Sequence, residues 1–187
     1  SLPPARRPDT KPGLNRFVWD MKYPGPTRLD YGLAPPRPKP LVPDPENPPG
    51  PTVVPGSYGV ELTVGEKGSS KSHSAKFTVA KDPRLPTTAA EYGAQFALHK
   101  DLIASVSRLK QAVNRLRKMK RQLEEATGHL GKRALKNRAE TIVRKLSAIE
   151  SVMVDPHRKS VRDVLRNPAG LNDTLIDMVA MATTADR

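Results

Sequence analysis

The chain has 187 residues, which leaves room for one or two small domains. It carries 32 Lys and Arg against 19 Asp and Glu, a net charge of +13 that attracts anionic partners. The absence of cysteine excludes disulfides and thiolate metal sites. No apolar run approaches the ~18 residues of a membrane span.

Proline divides the sequence into two parts, because 18 of the 20 prolines lie at or before Pro86. We therefore predict an α+β chain with a proline-rich β module over 1–86 and a helical module over 87–187. The chain begins at Ser1, with no start methionine and no signal peptide before it. We expect it to be a fragment of a longer protein.

The β module opens with an alternating segment. In residues 14–23 every second side chain is large and apolar, which predicts a strand. Its apolar face would consist of Phe17, Trp19, Met21 and Tyr23. Residues 24–51 are rich in proline and predict an extended, polyproline-like connection or a long loop.

A β-hairpin is predicted next. Residues 57–64 and 74–80 both alternate apolar and polar side chains, and the polar residues 65–73 between them form a loop. Three strands are fewer than the roughly seven of an immunoglobulin-like β-sandwich. We therefore expect a partial sandwich that leans on the helices or whose remaining strands lie upstream of Ser1.

The helical module predicts a long first helix. Thr88 and Glu91 have the three-residue spacing of a capping box, so the helix should begin near Thr88. It should continue for about 40 residues, or ~60 Å, to a turn bracketed by Gly128 and Gly131. Apolar residues recur along it with heptad spacing, interrupted only at Lys120. They are Leu102, Val106, Leu109, Val113, Leu116 and Leu123.

The second predicted helix folds back on the first as an antiparallel hairpin and stops at Asp155-Pro156, because the residue before proline avoids the α region. Its seam consists of Leu135, Ala139, Ile142, Leu146, Ile149 and Met153. The predicted register pairs Leu123 with Leu135, Leu116 with Ile142, Val113 with Leu146, Leu109 with Ile149 and Val106 with Met153. Lys120 should then face Ala139 and extend toward Glu140.

A third helix is predicted to begin at Asn167-Pro168, where an N-cap residue precedes proline. Its apolar stripe would consist of Leu171, Leu175, Met178 and Ala182. We expect this helix, or the β module, to cover the early part of the first helix.

Motifs for chemistry are weak. Residues 65–72 resemble a phosphate loop only loosely, because Ser70 replaces the second glycine and a strand follows. The histidines are scattered without the i, i+4 spacing of a helical zinc site, and there is no G-x-S-x-G elbow. We therefore predict no catalytic residue, no cofactor and no metal site.

A basic run at 108–121 contains seven Lys and Arg and no acid. On the heptad, the cations that point away from the seam are Arg108, Arg115, Lys118 and Arg121. They are candidate contacts for a phosphate backbone or another anionic surface. The alternative is a solvated helix face that keeps the hairpin soluble, and nucleic acid is the less favoured partner because no recognised nucleic-acid motif surrounds the run.

Several phrases together resemble the C-terminal region of large bacterial glycosyl-hydrolase-like proteins with sortilin-type or bacterial-neuraminidase-repeat propellers. They are PGLNRFVWDMKYPG at 12–25, VPGSY at 54–58 and FTVAKDPR at 77–84, with a further match over 163–175. The resemblance implies a propeller and the opening sandwich strands upstream of this chain, then an immunoglobulin-like sandwich and a helical hairpin. It places no catalytic residue of the family in this chain.

The function expected from these features is a non-catalytic structural or partner-binding module of a secreted propeller protein, in the periplasm or outside the cell. Its expected partners are the upstream strands and propeller of the same protein, and a protein partner on the helical hairpin. Two alternatives stay open. One is a basic helical module that binds an anionic polymer, and the other is an accessory part of a glycoside hydrolase whose active site lies in the missing propeller.

Overall fold

The computed structural model describes residues 10–11, 13–30, 47–65, 69–128, 133–154 and 170–184. Within these ranges the protein is α+β, with one two-stranded antiparallel sheet and three helices. The strands are β1 (Gly56–Val64) and β2 (Lys71–Val79), and the helices are α1 (Ala89–Gly128), α2 (Arg133–Met153) and α3 (Leu171–Thr184). The predicted class and the predicted order of strands before helices are confirmed.

The β1–β2 hairpin is confirmed. The strands pair from Gly56 opposite Val79 to Val64 opposite Lys71. Strand β2 begins at Lys71, inside the predicted loop, because polar side chains continue the same backbone ladder. Side chains alternate between the two faces of the sheet, so one face carries the apolar residues Tyr58, Val60, Leu62, Val64, Ala75 and Phe77.

The predicted strand at 14–23 is wrong. Its single ladder contact is an isolated antiparallel bridge between Lys22 and Thr52. Met21 has a φ of 55°, a left-handed conformation that interrupts an extended strand. Trp19 still reaches the sheet, since its ring centroid lies 6.0 Å from that of Tyr58 and 5.9 Å from that of Phe77.

Two proline-containing segments lie side by side before β1. The Tyr23 N–H donates to the Pro51 carbonyl at 2.8 Å, and the Val53 N–H donates to the Met21 carbonyl at 2.9 Å. Glycines permit this approach: a Cβ at Gly50 would overlap the Tyr23 carbonyl oxygen. Of the predicted connection at 24–51, residues 31–46 lie outside the described part of the chain.

Helix α1 begins as predicted. The Thr88 N–H donates to the Glu91 carboxylate at 2.7 Å, and the Glu91 N–H donates to the Thr88 hydroxyl at 3.3 Å. These reciprocal bonds satisfy backbone donors that an N-terminus leaves open. The helix extends for 40 residues, which confirms its predicted length.

Helix α3 covers the early part of α1, as predicted. Val179 is almost completely buried among Leu102, Ile103 and Val106 of α1. The Gln95 side-chain amide also donates to the Ala182 carbonyl at 3.2 Å. This contact closes a small apolar core between the two helices.

The predicted stripe of α3 is confirmed in part, because Leu175 and Ala182 pack against the core that α3 shares with α1. Leu171 and Met178 are about half exposed, while Asn172 and Val179, one residue further along, are buried. One residue turns a helix by about 100°, so the true inner face lies next to the predicted one. The expected start at Asn167-Pro168 lies outside the described residues.

The predicted register of α1 and α2 is wrong. Leu135, Ile142 and Ile149 are 44%, 45% and 49% exposed, so this half of the expected seam does not face α1. The other half does turn inward, since Ala139 is buried and Met153 packs against the α1 core. The Lys120 ammonium donates to Glu150 at 3.1 Å, eleven residues beyond Ala139, instead of extending toward Glu140. In this orientation of α2, the Glu150 carboxylate reaches both Arg117 and Lys120 of α1.

Candidate interaction surfaces on the long helix

A segment of the β module runs along α1, and we call residues 23–30 the strap. The Thr27 N–H donates to the Ser107 hydroxyl at 3.1 Å, and the Gln111 side-chain amide donates to the Thr27 hydroxyl at 3.2 Å. At the start of the strap, the Tyr23 ring centroid lies 5.2 Å from that of Phe96. These contacts join the predicted β module to the predicted helical module. The division of the chain into two modules at residue 86 stays a prediction.

Asn114 binds the strap with both ends of its side-chain amide. Its Oδ1 accepts the Asp30 N–H at 2.7 Å, and its Nδ2 donates to the Arg28 carbonyl at 2.9 Å. Between them, Leu29 is buried against Leu109 and Val113 of α1. An asparagine side chain can both donate and accept hydrogen bonds, so it binds the N–H and carbonyl groups of an extended segment as a neighbouring strand does.

A buried charge cluster joins α1, α2 and the strap. The Glu150 carboxylate accepts hydrogen bonds from Nε of Arg117 at 2.6 Å and from Nζ of Lys120 at 3.1 Å. Arg117 also donates to the Asp30 carbonyl at 2.7 Å. Burial raises the pKa of Glu150, but the hydrogen bonds and charges of Arg117 and Lys120 outweigh that effect and hold the pKa below its ordinary value.

The four predicted anion contacts do not share one environment. Arg121 donates to the Asp30 carboxylate at 3.2 Å, with both side chains about half exposed. Arg108, Arg115 and Lys118 are exposed, and Arg108 donates to the Ser105 hydroxyl of its own helix at 3.1 Å. The structure therefore leaves three of the four on the solvated side of α1 and ties the fourth to the strap.

The other cations of the basic run are engaged inside the fold. Lys110 is fully buried and its ammonium donates to Asn47 at 3.2 Å. Arg117 and Lys120 hold Glu150. The inward pair could have been recognised from sequence, because Glu150 is the one acidic residue in 141–153 and needs a cation when buried.

His99 is buried in α1 beneath the proline-containing segments. Its Nε2 has no hydrogen-bond partner among the described residues. Burial lowers the pKa of His99, and the nearby charge of Lys22 lowers it further. Burial therefore disfavours the charged imidazole, and protonating it would destabilise the packing of this region.

The described residues hold no group of three or more His, Asp or Glu side chains that would bind a metal. An open cleft of about 460 Å³ lies between the end of α1 and the start of α2. Its polar lining mixes Glu124 and Glu140 with Lys136 and Arg144. No described helix is both long enough and apolar enough to cross a bilayer.

Among the described residues, the sheet and α2 each carry an apolar surface that faces solvent. On the sheet, Val60, Leu62 and Val64 are each about half exposed. On α2, three of the six residues that were expected to face α1 form the second surface together with Val152. We call it the α2 stripe, and it consists of Leu135, Ile142, Ile149 and Val152.

Comparison with protein-family models, with curated proteins and with solved structures finds no match to this chain. The resemblance to propeller proteins therefore stays a prediction. The function is therefore inferred from the surfaces described above.

Proposed function

We propose that this chain is a non-catalytic, partner-binding module of a secreted propeller protein of the glycosyl-hydrolase-like class, active in the periplasm or outside the cell. The observation that carries the proposal is the apolar face of the β1–β2 hairpin, on which Val60, Leu62 and Val64 stay about half exposed beyond the end that Trp19 covers. The phrases at 12–25 and 77–84 supply the resemblance on which the protein class rests.

A two-stranded sheet with one open apolar face is half of a layered structure. An isolated hairpin is marginally stable in water, and each Val or Leu left exposed forgoes about 1.5–3 kcal/mol of burial. In a β-sandwich the inner faces of two sheets pack about 10 Å apart. Further strands of the parent protein, packed on Val60, Leu62 and Val64, fit this requirement.

The test compares this chain with a protein extended at its N-terminus through the natural reading frame. Hydrogen exchange of residues 56–64 and 71–79 should slow in the longer protein, because added strands bury the open face. Leu62→Asp should cancel the protection, while Thr63→Asp, which places the same charge on the polar face, should not. Equal exchange in both proteins would contradict the proposal.

Catalysis by this chain is not expected, because its sequence carries no recognised catalytic motif. Turnover of chromogenic glycosides by the purified chain should match that of buffer. Turnover above buffer that co-purifies with the chain would contradict a non-catalytic role. If only the extended protein hydrolyses these substrates, the chain is an accessory part of a glycoside hydrolase.

A second candidate function is binding of an anionic polymer on the solvated side of α1. It is favoured by the exposure of Arg108, Arg115 and Lys118. Three phosphate contacts predict that log K for duplex DNA falls against log salt concentration with a slope of about −2.7. So few contacts give weak binding at physiological salt. The triple alanine variant should lose retention on heparin, while Arg121→Ala should keep it because Asp30 already pairs with Arg121.

A further inference from the structure

We propose that the α2 stripe is the docking site for an acidic amphipathic helix of a protein partner. This inference rests on the proposed partner-binding function and names the surface and the chemistry of the partner. The stripe residues Leu135, Ile142 and Ile149 recur every seven positions on the exposed side of α2. That spacing matches the seam of a left-handed helix pair.

The stripe is left over from the fold. Helix α2 turns Ala139 and Glu150 toward α1, and both are buried. Leu135, Ile142 and Ile149 lie to the side of that inner face, where they are about half exposed. Small residues precede two of them, Ala134 before Leu135 and Ala148 before Ile149, so a partner helix can approach closely.

Charge selects the occupant. Arg138 and Lys145 lie three residues after Leu135 and Ile142, at the second seam position of each heptad, and both are exposed. Neither forms an ion pair with another described residue. A partner helix with acidic residues opposite these two positions would pair with both cations, and the rest of its seam would cover the stripe.

A second copy of this chain fits less well. Two α2 helices joined along their stripes would bring Arg138 and Lys145 of both chains into one seam with no acid between them. Like charges in such a seam cost binding energy and act against the pairing. The net charge of +13 adds a long-range repulsion between copies.

A membrane surface also fits less well. A helix that lies in a lipid interface presents a broad apolar face with its cations at the margins. Here the stripe is narrow, and Arg138 and Lys145 interrupt it instead of flanking it. The spacing and the charge placement favour one helix as the occupant.

The test uses the full 187-residue chain and two synthetic helical peptides of three heptads. Both peptides carry a leucine seam, flanked by Glu in the acidic peptide and by Lys in the basic peptide. We expect calorimetry to show the acidic peptide binding at least about tenfold more tightly, a difference of about 1.4 kcal/mol. Ile142→Ser should weaken binding of the acidic peptide about tenfold, and Met181→Ser, on the exposed side of α3, should leave it unchanged.

A double variant tests whether Arg138 and Lys145 select the charge of the partner helix. Arg138→Glu combined with Lys145→Glu should reverse the preference, so that the basic peptide becomes the tighter ligand. All these side chains are exposed, and far-UV circular dichroism should show wild-type helix content in each variant. The inference is overturned if the double variant still prefers the acidic peptide. It is also overturned if Ile142→Ser does not weaken binding of the acidic peptide.

The other occupants are outcomes that also overturn it. Ile142-dependent binding to phosphatidylglycerol vesicles without peptide selectivity would assign the stripe to a membrane. Ile142-dependent dimerisation in sedimentation would assign it to a second copy. Because neither measurement involves β1 or β2, failure here is distinguishable from failure of the sheet-face proposal, which hydrogen exchange of the hairpin decides.

Discussion

Replacing Glu150 with glutamine would remove the charge that joins Arg117 and Lys120 between α1 and α2. The glutamine keeps the size of the side chain, so the change isolates the charge from the packing. Arg117 and Lys120 would then lose the carboxylate that they share at the helix interface. We expect a loss of stability, because removing one member of a buried ion cluster leaves the remaining charges less well compensated.

The magnitude follows from the burial of the three groups. Breaking a fully buried pair by removing one partner costs about 3–5 kcal/mol. The Arg117 and Lys120 side chains remain 19% and 21% exposed, so water recovers part of their solvation. We expect a loss of about 2–3 kcal/mol in the free energy of unfolding.

Urea unfolding at pH 7, followed by circular dichroism, measures this loss. With a slope near 2 kcal/mol per molar urea, the midpoint should fall by about 1–1.5 M. Glu140→Gln is the matched control, because Glu140 is an exposed carboxylate on the same helix and should cost less than about 0.5 kcal/mol. Equal losses for the two variants would refute the reasoning.

The pH dependence gives an independent check. The folded-state pKa of Glu150 lies below its unfolded value, so the unfolded state binds more protons between the two values and stability rises with pH there. The stabilisation is complete above the unfolded pKa of about 4.3 and is lost as pH falls through the folded one. The difference between wild type and Glu150→Gln should therefore be constant from about pH 8 to 5 and shrink in more acidic solution.

Three further changes test other parts of the fold. Thr88→Ala removes the hydroxyl that accepts the Glu91 N–H, so thermal unfolding should show a loss of about 1 kcal/mol. Gly50→Ala places a methyl group against the Tyr23 carbonyl, so stability should fall by about 1–3 kcal/mol and hydrogen exchange of residues 21–30 should accelerate; unchanged exchange would contradict the packing. Because the folded-state pKa of His99 is lowered, stability should fall as pH drops from 7.5 to 5.5, and urea midpoints of His99→Leu should lack this part of the fall.

Local patterns predicted the elements that local interactions determine. The start of α1 follows from the pairing of Thr88 with Glu91, three residues apart. The β1–β2 hairpin follows from alternation on both sides of a short polar loop. In each case the residues that decide the structure are close in sequence, so a short stretch of the sequence is enough to predict the element.

Long-range contacts were not visible in the same way. The strap residue Asp30 meets Asn114 and Arg121, which lie 84 and 91 positions later. Nothing in the local sequence of Asp30 marks those partners. A signal did exist for the neighbouring contact, because Pro-Gly-Pro-Thr occurs at 24–27 and again at 49–52, and in both copies the glycine lies where another backbone passes close by.

The environment of the four candidate anion contacts was predicted in part for the same reason. Heptad reasoning correctly places Arg108, Arg115 and Lys118 on the exposed side of α1. It could not separate them from Arg121, because the acid that pairs with Arg121 belongs to the strap. A count of cations in a run therefore overstates the charge that is free to bind a ligand.

The wrong register of α2 and its exposed stripe have one physical cause. An apolar heptad predicts the inner face of a helix only when no stronger interaction competes for that position. Glu150 is such a competitor, since leaving it unpaired costs more than leaving one isoleucine half exposed. Two cations on α1, Arg117 and Lys120, can satisfy Glu150 only when α2 is turned to face them. The same rotation carries Leu135, Ile142 and Ile149 outward, so the charges that join α1 and α2 also leave exposed the stripe on which we propose that a partner helix docks.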